Sequence, residues 1–597
     1  SFYCYAAIPF LIYCWLMPQK IWHMSWHKIW IHSFAFLTFY GLGFVLLAEL
    51  TFWQEFNVRF NFISVDYLVY RREVTDNINE SYPIIAMLLG ILPLAGILYY
   101  LSYSKIQNAL NSQQTFKVRT QFSVIACLLP VFVFLVVDQS MRDNENNVYQ
   151  REIASNGPFQ FFAAFRNNQL DFNHFYQTLP DEVASNLLRA SVKEENADFV
   201  SDELYSIGRI IHSDQPETHH NVVLISVESF SAKFLQHFGN EQNITPNLDK
   251  LVNKSLFFEN FYATGTRTAR GLEAITLSIP PTPGRSIVKR IGRETDMWSM
   301  GNVFKNKGYE VRYLYGGRGY FDNMNAFFSG NGYDITDQSS IENQDIHFEN
   351  AWGVSDEDLF QQTIKQANQS YEKHTPFFYH VMTTSNHRPY TYPDNKIDIP
   401  SGSGRNGAVK YTDFAIGKFL EHAKQQPWFN DTIFVIVADH CASSAGKTDL
   451  PVDRYHIPMW VYSPSLITPQ TIDTLASQID IAPTIFGLLN MTYESWSFGK
   501  DILRMNKNDE RVLIGTYQKL GLLKQDELVI LSPGKKINRH LIENEGSDAL
   551  DNTMDAKHLD AQAKLAIAYY QGANYIYEHN MNHWQAKRHE HHPVAQK

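Results

Sequence analysis

Residues 222–230 read VVLISVESF, an apolar run that ends in Glu228 and Ser229. Two further stretches have the same form: FFYHVMTTSNH at 377–387 and IFVIVADH at 433–440. Each begins with a short run rich in β-branched or aromatic residues, without the polar alternation of a half-exposed strand, which is typical of strands buried on both faces. Such strands belong to a mostly parallel sheet covered by helices, so these three stretches predict an α/β domain.

Helices are expected between these strands, as a parallel sheet requires. The patterns predict them at Ala269–Leu277, Met300–Lys307 and Ser355–Ala367. Beyond about residue 500, short apolar runs predict a small antiparallel sheet, followed by a helix over Asp555–Tyr577.

Each of the three predicted strands is followed by residues of a type that binds metal ions. Glu228 follows the first strand, His387 the second, and Asp439 with His440 the third. Because open α/β sheets place their sites beyond the carboxyl ends of the strands, these side chains are expected to converge. A single residue of this type after a strand is explained by a helix cap or an ion pair. Three such strand endings together predict a divalent metal site.

A candidate nucleophile lies in residues 262–271, YATGTRTARG, a turn that leads into the predicted helix at Ala269. Thr268 lies near the positive end of that helix, flanked by Arg267 and Arg270. A coordinated metal ion would activate its hydroxyl, and helix amides with guanidinium groups suit phosphate oxygens. Without the metal-binding residues, the same turn would indicate only a helix cap with surface arginines.

The first 138 residues are predicted to form a membrane domain. Four stretches lack charged side chains over roughly a bilayer thickness, which takes about 20 helical residues: Phe2–Met17, Ile29–Ala48, Pro83–Leu101 and Thr120–Val137. Four uncharged runs in succession favour transmembrane helices over buried helices of a soluble protein, because one charge at a helix centre costs about 2.5–3.5 kcal/mol on insertion.

Loop charge predicts the orientation of these helices. Loops 17–28 and 102–119 together contain five basic residues and no acidic ones, whereas loop 51–82 contains three basic and five acidic residues. The first two loops are therefore expected in the cytoplasm. The chain after Asp138 then lies outside a bacterial cytoplasmic (inner) membrane, on the periplasmic or extracellular side. On this count residue 1 also starts outside, so we expect an earlier helix to precede the numbered chain.

The composition and net charge exclude further classes of protein and partner. Charged residues make up 19% of the 597 and hydrophobic residues 44%, which excludes a disordered chain. The net charge of -11 argues against nucleic acid as a partner. The expected organisation is a transmembrane domain (1–138), a helical linker (139–218), an α/β catalytic domain (219–500), a C-terminal subdomain (501–580) and a tail (581–597).

Taken together, the motifs resemble those of the lipoteichoic acid synthase and periplasmic glucan phosphoglycerol transferase group, within the alkaline phosphatase–sulfatase superfamily. The motifs are SVESF (226–230), ITPNL (244–248), the Gly265–Gly271 turn, SNH (385–387) and ADH (438–440). The resemblance implies an α-helical transmembrane bundle followed by an α/β sulfatase-like domain, with a mostly parallel central sheet and a small C-terminal antiparallel sheet.

The same resemblance implies roles for individual residues. One divalent cation is expected on Glu228, Thr268, Asp439 and His440, with Thr268 also the nucleophile. Mixed ligation of this kind favours Mn²⁺ or Zn²⁺, with Mg²⁺ as an alternative. Substrate-side roles are expected for five residues: His387, Arg270, Asp322, Asn323 and His456. Asp322 and Asn323 lie in the stretch 321–324, where the synthases carry Trp and Arg in their glycerol-phosphate pocket, so a different polar group could be bound there.

The implied function is a membrane-anchored transferase. It would move phosphoglycerol from a phospholipid such as phosphatidylglycerol to a hydroxyl of a glycan or lipid-glycan acceptor, through a covalent intermediate on Thr268. Two alternatives stay open: a phosphoethanolamine transferase acting on lipid A or another glycan, and a non-catalytic membrane sensor. Cys441, alone outside the apolar runs, weighs against the first, whose periplasmic members usually contain disulfides. The complete nucleophile and ligand set weighs against the second. A sulfatase is disfavoured, because Thr268 stands where that branch has a cysteine.

Overall fold

The structure is a computed structural model that describes residues 2–112, 114–137, 141, 147–166, 170–443, 446, 448–542, 552–553 and 559–584. The chain divides into two compact units. The first comprises residues 1–168 with 445–449, and the second comprises 169–444 with 450–597. The stretch 139–218, which we predicted to be a linker, is therefore shared between the two units.

The described part of the first unit is helical. Its helices are α1 (Phe2–Ala6), α2 (Ile8–Leu16), α3 (Gln19–Trp22), α4 (Ser25–Phe56), α5 (Phe62–Asp66), α6 (Arg71–Ser81), α7 (Ile84–Asn111), α8 (Phe116–Val136), α9 (Val148–Ala154) and α10 (Gly157–Arg166). Three of them, α4, α7 and α8, are long and apolar enough to cross a membrane, at 32, 28 and 21 residues. They correspond to three of the four predicted stretches. The other stretch forms the shorter pair α1 and α2.

Close packing and a few polar contacts hold these helices together. A Cβ atom on Gly43 would lie 2.6 Å from Ile91 Cγ2, so glycine lets α4 and α7 approach closely. The Trp15 indole nitrogen donates to Thr120 Oγ1 at 3.0 Å, which links α2 to α8. Large apolar side chains such as Phe134 stay exposed on the outside of the unit. This distribution is that of helices surrounded by lipid.

The second unit contains the described strands and the remaining helices. The strands are β1 (Ala197–Phe199), β2 (Arg209–Ile211), β3 (Asn221–Val227), β4 (Leu256–Phe258), β5 (Phe261–Tyr262), β6 (Glu310–Tyr315), β7 (Asp334–Thr336), β8 (Glu349–Asn350), β9 (Gly353–Val354), β10 (Phe377–Met382), β11 (Thr432–Ala438), β12 (Met459–Tyr462), β13 (Gln470–Ile472), β14 (Ala476–Ser477), β15 (Tyr493–Ser495), β16 (Val512–Gly515), β17 (Leu520–Lys524), β18 (Glu527–Ser532), β19 (Lys536–Leu541) and β20 (Asn552–Thr553). The helices are α11 (Phe172–Phe175), α12 (Asp181–Val192), α13 (Pro246–Val252), α14 (Thr268–Leu277), α15 (Met300–Asn306), α16 (Met324–Gly330), α17 (Asp356–Glu372), α18 (Arg405–Ala423), α19 (Ile481–Leu488) and α20 (Ala561–Glu578).

An eight-stranded sheet forms the centre of this unit, in the order β13-β4-β12-β11-β3-β10-β6-β7. Strands β11, β3, β10, β6 and β7 run parallel, and β12 pairs antiparallel with both of its neighbours. The three strands predicted from sequence are the adjacent central strands β11, β3 and β10, and every residue in them is buried. Ser226 pairs with Val437 on one side and Met382 on the other, so the three strands end level with one another.

The C-terminal antiparallel sheet is also present, in the order β16-β17-β18-β19-β20. Helix α20 packs against β17 and β18 and begins at Ala561, and residues 555–558 of the predicted helix lie outside the described part of the chain. The stretch predicted as a helical linker contains strand β2, which pairs with β15 from the far side of the domain. A pairing between strands so far apart in the sequence cannot be predicted from the local residue pattern.

A buried ion pair joins the C-terminal subdomain to the α/β domain. Arg511, just before β16, donates from its two terminal nitrogens to both carboxylate oxygens of Asp480, at 3.0 and 2.9 Å. It also donates to the carbonyl oxygen of Phe498 at 3.0 Å. Both charged side chains are buried, so each depends on the other for its compensation.

Replacing Arg511 with alanine should therefore leave Asp480 buried and uncompensated. We expect Arg511→Ala to lower the free energy of unfolding by about 3–5 kcal/mol, measured by urea unfolding of the detergent-solubilised chain. The control is Arg504→Ala, which removes a more exposed arginine near Asp501 and should cost about 0.5 kcal/mol or less. Equal effects of the two substitutions would contradict the buried-pair argument.

Candidate metal centre and nucleophile

Three buried side chains form a group that could hold a metal ion. Glu228 follows β3, and Asp439 and His440 follow β11, its parallel neighbour. One ligand atom from each lies within 4.8 Å of the others. The structure thus brings these three residues together at the level carboxyl ends of two adjacent strands.

The environment of Asp439 tests whether this group suits a cation. Its Oδ1 atom accepts hydrogen bonds from the backbone amides of Ser229 and His440, at 2.8 and 2.7 Å. Its Oδ2 atom is buried and has no hydrogen-bond partner among the described residues. Burial, together with repulsion from Glu228, raises the pKa of Asp439 to about 8. A cation beside Oδ2 would offset both effects, so the donor set fits a divalent ion.

His440 is oriented as metal-binding histidines are. Its Nδ1 atom lies 2.7 Å from the carbonyl oxygen of Cys441, which can only accept a hydrogen bond, so Nδ1 carries the proton. In the neutral imidazole the lone pair is then on Nε2, which lies 3.6 Å from Glu228 Oε1. The backbone contact therefore fixes the tautomer that metal coordination requires.

Thr268 is the first residue of α14 and lies beside this group. Its hydroxyl is 3.1 Å from Glu228 Oε2 and 3.5 Å from His440 Nε2. The residue before it, Arg267, makes no side-chain cap on the helix. The positive end of the helix dipole is therefore directed at the threonine, where it favours negative charge on the hydroxyl or on a bound phosphate.

Gly271, from the predicted turn motif, and Gln478, which the sequence did not single out, hold α14 in place. A Cβ atom on Gly271 would lie 2.0 Å from the carbonyl oxygen of Asp439, so this approach of helix to strand end requires glycine. The Gln478 amide nitrogen donates to the carbonyls of Ala438 and Asp439, at 2.8 and 2.7 Å, while its oxygen accepts from the Thr264 amide at 3.0 Å. Gln478 thus connects the turn before Thr268 to the end of strand β11.

Other residues of the predicted strand endings hold Glu228. Ser229 has a left-handed backbone with φ of 50° and donates from its hydroxyl to Glu228 Oε1 at 2.6 Å. Asn386 donates to the carbonyls of Glu228 and Ser229, at 2.9 and 3.1 Å. Thr383 Oγ1 accepts from the Glu228 amide at 3.0 Å. Ser229 and Asn386 belong to the SVESF and SNH motifs, and Thr383 directly follows β10, but the sequence did not predict these contacts with Glu228.

His387 lies at the open side of the group. Its Nε2 atom is 3.1 Å from Glu228 Oε1, and its side chain is 30% exposed. The Trp352 ring stacks on the imidazole, with ring centres 4.1 Å apart and an interplanar angle of 13°. The Trp352 indole nitrogen also donates to the carbonyl oxygen of Arg388 at 2.6 Å, which fixes the ring beside His387.

Two of the predicted substrate-side residues make other contacts. The Arg270 guanidinium donates to Glu273 and to the carbonyl oxygen of Thr282, both at 2.6 Å. The imidazole of His456 lies 2.7 Å from the carbonyl oxygen of Glu259, and burial lowers its pKa. Neither side chain is in hydrogen-bond contact with Glu228 in the described part of the structure.

Asp322 and Asn323 form a turn in which both residues have positive φ angles, of 54° and 62°. Asp322 pairs with Lys289 at 2.8 Å. Asn323 donates to the carbonyl oxygen of Val288 at 2.9 Å and to Glu294 at 3.1 Å. The turn contacts the site indirectly, because the neighbouring Phe321 packs its ring edge against Trp352.

Comparison with known proteins agrees with this fold and site. Residues 220–491 match the family model described as Sulfatase. The crystal structure of a protein in the alkaline phosphatase superfamily from Vibrio parahaemolyticus is 33% identical and superimposes with a TM-score of 0.64. That match covers 69% of this chain and 100% of the other. The chain belongs to the alkaline phosphatase superfamily.

Curated relatives share shorter stretches. Lipoteichoic acid synthase 2 of Bacillus subtilis is 24% identical over 311 residues, which is 47% of this chain and 47% of the relative. Phosphoglycerol transferase I of Xanthomonas campestris pv. campestris is 24% identical over 306 residues, which is 47% of this chain and 42% of the relative. The matches span less than half the length of each relative. They confirm the family resemblance that the motifs indicated.

Metal binding can be measured as a gain in stability. After chelation and dialysis, Mn²⁺ or Zn²⁺ at about 100 times its Kd should stabilise the chain by about 2.7 kcal/mol, seen as a higher midpoint of thermal unfolding. Asp439→Asn should lose most of this gain, because it removes a charged ligand. Asp398→Asn, which alters an exposed carboxylate paired with Lys410, should keep it. Equal stabilisation of the two variants would exclude Asp439 as a ligand.

Proposed function

We propose that this chain transfers a phosphoglycerol group from a membrane phospholipid, such as phosphatidylglycerol, to an acceptor hydroxyl, with Thr268 as the covalent carrier. The observation that carries the proposal is the Thr268 hydroxyl, 3.1 Å from Glu228 within a buried group suited to a cation. The names of the relatives, a phosphoglycerol transferase and a lipoteichoic acid synthase, support the choice of phosphoglycerol.

The proposed cation ligands are Glu228, Thr268, Asp439 and His440. Their mixture of oxygen and imidazole donors suits Mn²⁺ or Zn²⁺. Such an ion lowers the pKa of a coordinated hydroxyl and offsets the negative charge of a phosphate. The chain itself supplies the fixed positions of these donors, through the amides on Asp439, the Cys441 carbonyl on His440 and the hydroxyl of Ser229 on Glu228.

The first step transfers the head group to the protein. Thr268 Oγ1 loses its proton and forms a bond to the lipid phosphorus, while the bond from phosphorus to the diacylglycerol oxygen breaks and that oxygen takes up a proton. In the second step an acceptor hydroxyl loses its proton and bonds to the same phosphorus, and the bond to Thr268 breaks. The threonine then regains its proton, so neither step needs a further reactant.

Other residues are given roles that match their contacts. We place His387 against the phosphate oxygens, because its exposed imidazole borders Glu228. Arg270 holds the start of α14 through Glu273 and the Thr282 carbonyl. His456 positions the loop after His440, since its carbonyl oxygen accepts from the Cys441 thiol at 3.1 Å.

The proposed head-group pocket includes the turn at Asp322 and Asn323, which reaches Trp352 through Phe321. The side chains in this turn are already paired with Lys289 and Glu294. They therefore present a fixed polar rim. We propose that this rim borders the glycerol of the head group and leaves the phosphate to His387.

The membrane helices give this chemistry its location. We propose that the chain lies in a bacterial cytoplasmic membrane with the catalytic domain on the outer side, as the basic loops 17–28 and 102–119 indicate. Tethering to the bilayer raises the effective concentration of a lipid substrate at the site. The acceptor is proposed to be a glycan or lipid-glycan that meets the outer leaflet.

The covalent intermediate is directly testable. Incubation of the purified chain with phosphatidylglycerol and Mn²⁺ should add the mass of one glycerophosphoryl group to the peptide that contains Thr268, as measured by mass spectrometry. Thr268→Ala should carry no adduct and should lower the transfer rate by at least about 10³-fold. Thr266→Ala, which removes a hydroxyl two residues earlier, is the matched control and should retain the adduct.

The lipid arms of this experiment separate the rival functions. An adduct from phosphatidylethanolamine, with none from phosphatidylglycerol, would replace the proposal by phosphoethanolamine transfer. If neither lipid labels the metal-replete chain, the domain acts as a non-catalytic sensor and the transferase proposal is wrong.

The ring of Trp352 is expected to position His387. Trp352→Leu removes the stacked ring, so we expect about a 10-fold decrease in kcat/KM for head-group transfer, since stacked pairs contribute about 0.5–1.5 kcal/mol. Trp352→Phe keeps a ring without the indole N–H and should recover most of the loss.

A double substitution distinguishes positioning from general destabilisation. In a His387→Ala background, Trp352→Leu should produce little further decrease, because the residue that it orients is already gone. Additive losses in the double variant would show that Trp352 acts independently of His387.

A further inference from the structure

A separate pocket of about 210 Å³ lies in the first unit. It is bounded by the last turn of α7, the first turns of α8 and the residues that follow α2. Its lining includes the polar side chains of Gln19, Ser112, Gln114 and Ser123, together with the guanidinium group of Arg119. Four uncharged polar residues and one arginine therefore border a cavity at the end of a membrane-length helix.

Arg119 supplies the charge of this pocket. Its Nη1 atom donates to the carbonyl oxygen of Met17, and its guanidinium lies 5.9 Å from the Phe116 ring centre. Its Nε atom is buried and lacks a hydrogen-bond partner within the described residues. The loops 17–28 and 102–119 contain no acidic residue. No carboxylate in either loop can neutralise this guanidinium, so an anion from outside the chain is favoured.

The pocket changes from polar to apolar along one face of α8. Arg119, Phe122 and Ser123 are spaced three and four residues apart, so they lie on the same side of the helix. Phe122 is 68% exposed and lies further from the loop than Arg119. Trp22 forms the facing apolar wall and donates from its indole nitrogen to the Ala109 carbonyl at 3.4 Å. An anionic lipid carries a phosphate next to apolar acyl chains, so it matches a guanidinium group beside an apolar surface.

We propose that this pocket binds an anionic glycerophospholipid, with the phosphate against Arg119 and an acyl chain along Phe122. The pocket is lined by residues of the first unit, whereas Thr268 belongs to the second unit. The proposed lipid site therefore shares no residue with the proposed catalytic site, and it does not depend on the proposed transferase activity. Basic pockets between membrane helices are known to bind lipid head groups in this way.

Competitive lipid binding tests the proposal. The full chain is purified in detergent and incubated with equal amounts of phosphatidylglycerol and phosphatidylcholine, and the retained lipid is measured by native mass spectrometry. We expect phosphatidylglycerol to be preferred by about five-fold or more. Arg119→Gln should reduce the preference below about two-fold, because the charge that faces the phosphate is lost.

Two further variants separate the pocket from general surface charge. Lys105→Gln removes one exposed positive charge from the same loop region but not from the lining, and it should keep the preference. Ser123→Leu keeps every charge but fills the pocket, and it should lower phosphatidylglycerol retention as Arg119→Gln does. Equal losses for Lys105→Gln and Arg119→Gln would overturn the proposal. Unchanged binding by Ser123→Leu would also overturn it.

Discussion

Two buried carboxyl groups, those of Glu228 and Asp439, lie together at the carboxyl ends of adjacent central strands, and their burial is the constraint on which the site depends. Moving a carboxylate out of water is costly unless hydrogen bonds or a positive charge compensate it. The structure gives Asp439 two amide donors on one oxygen and leaves the other oxygen unpaired among the described residues. A fold that retains such a pair gives up stability at this place, which is typical of a functional site.

The position of Thr268, the proposed nucleophile, follows from the same strand end. Helix α14 contacts the carbonyl of Asp439 at Gly271, and Gln478 bonds to that carbonyl from the other side. Thr268 is therefore placed by backbone contacts with a proposed metal ligand, not by side-chain packing alone.

The central sheet and the convergence of Glu228, Asp439 and His440 could be predicted from the sequence, because buried parallel strands leave continuous apolar runs and end at one edge. The side-chain partners could not be predicted. Gln478 is a single amide at the start of a short 3₁₀ turn, and Arg270 and Asp322 find partners, the Thr282 carbonyl and Lys289, that only the tertiary fold brings near. The pairing of β2 with β15 was missed for the same reason, since its two strands are nearly 300 residues apart.

The residues of the site differ in how much of each is exposed to solvent. Glu228 and Asp439 are almost fully buried, Thr268 is 8% exposed and His387 is 30% exposed. In the proposed transfer the lipid head group therefore reaches Thr268 from the side of His387, on which the Trp352 ring is stacked. Because Trp352 is aromatic and the buried residues are charged, the apolar part of the proposed lipid substrate favours the side of Trp352 and its phosphate favours the buried residues. The proposed acceptor hydroxyl approaches from the same side, because His387 is the most exposed of these four residues.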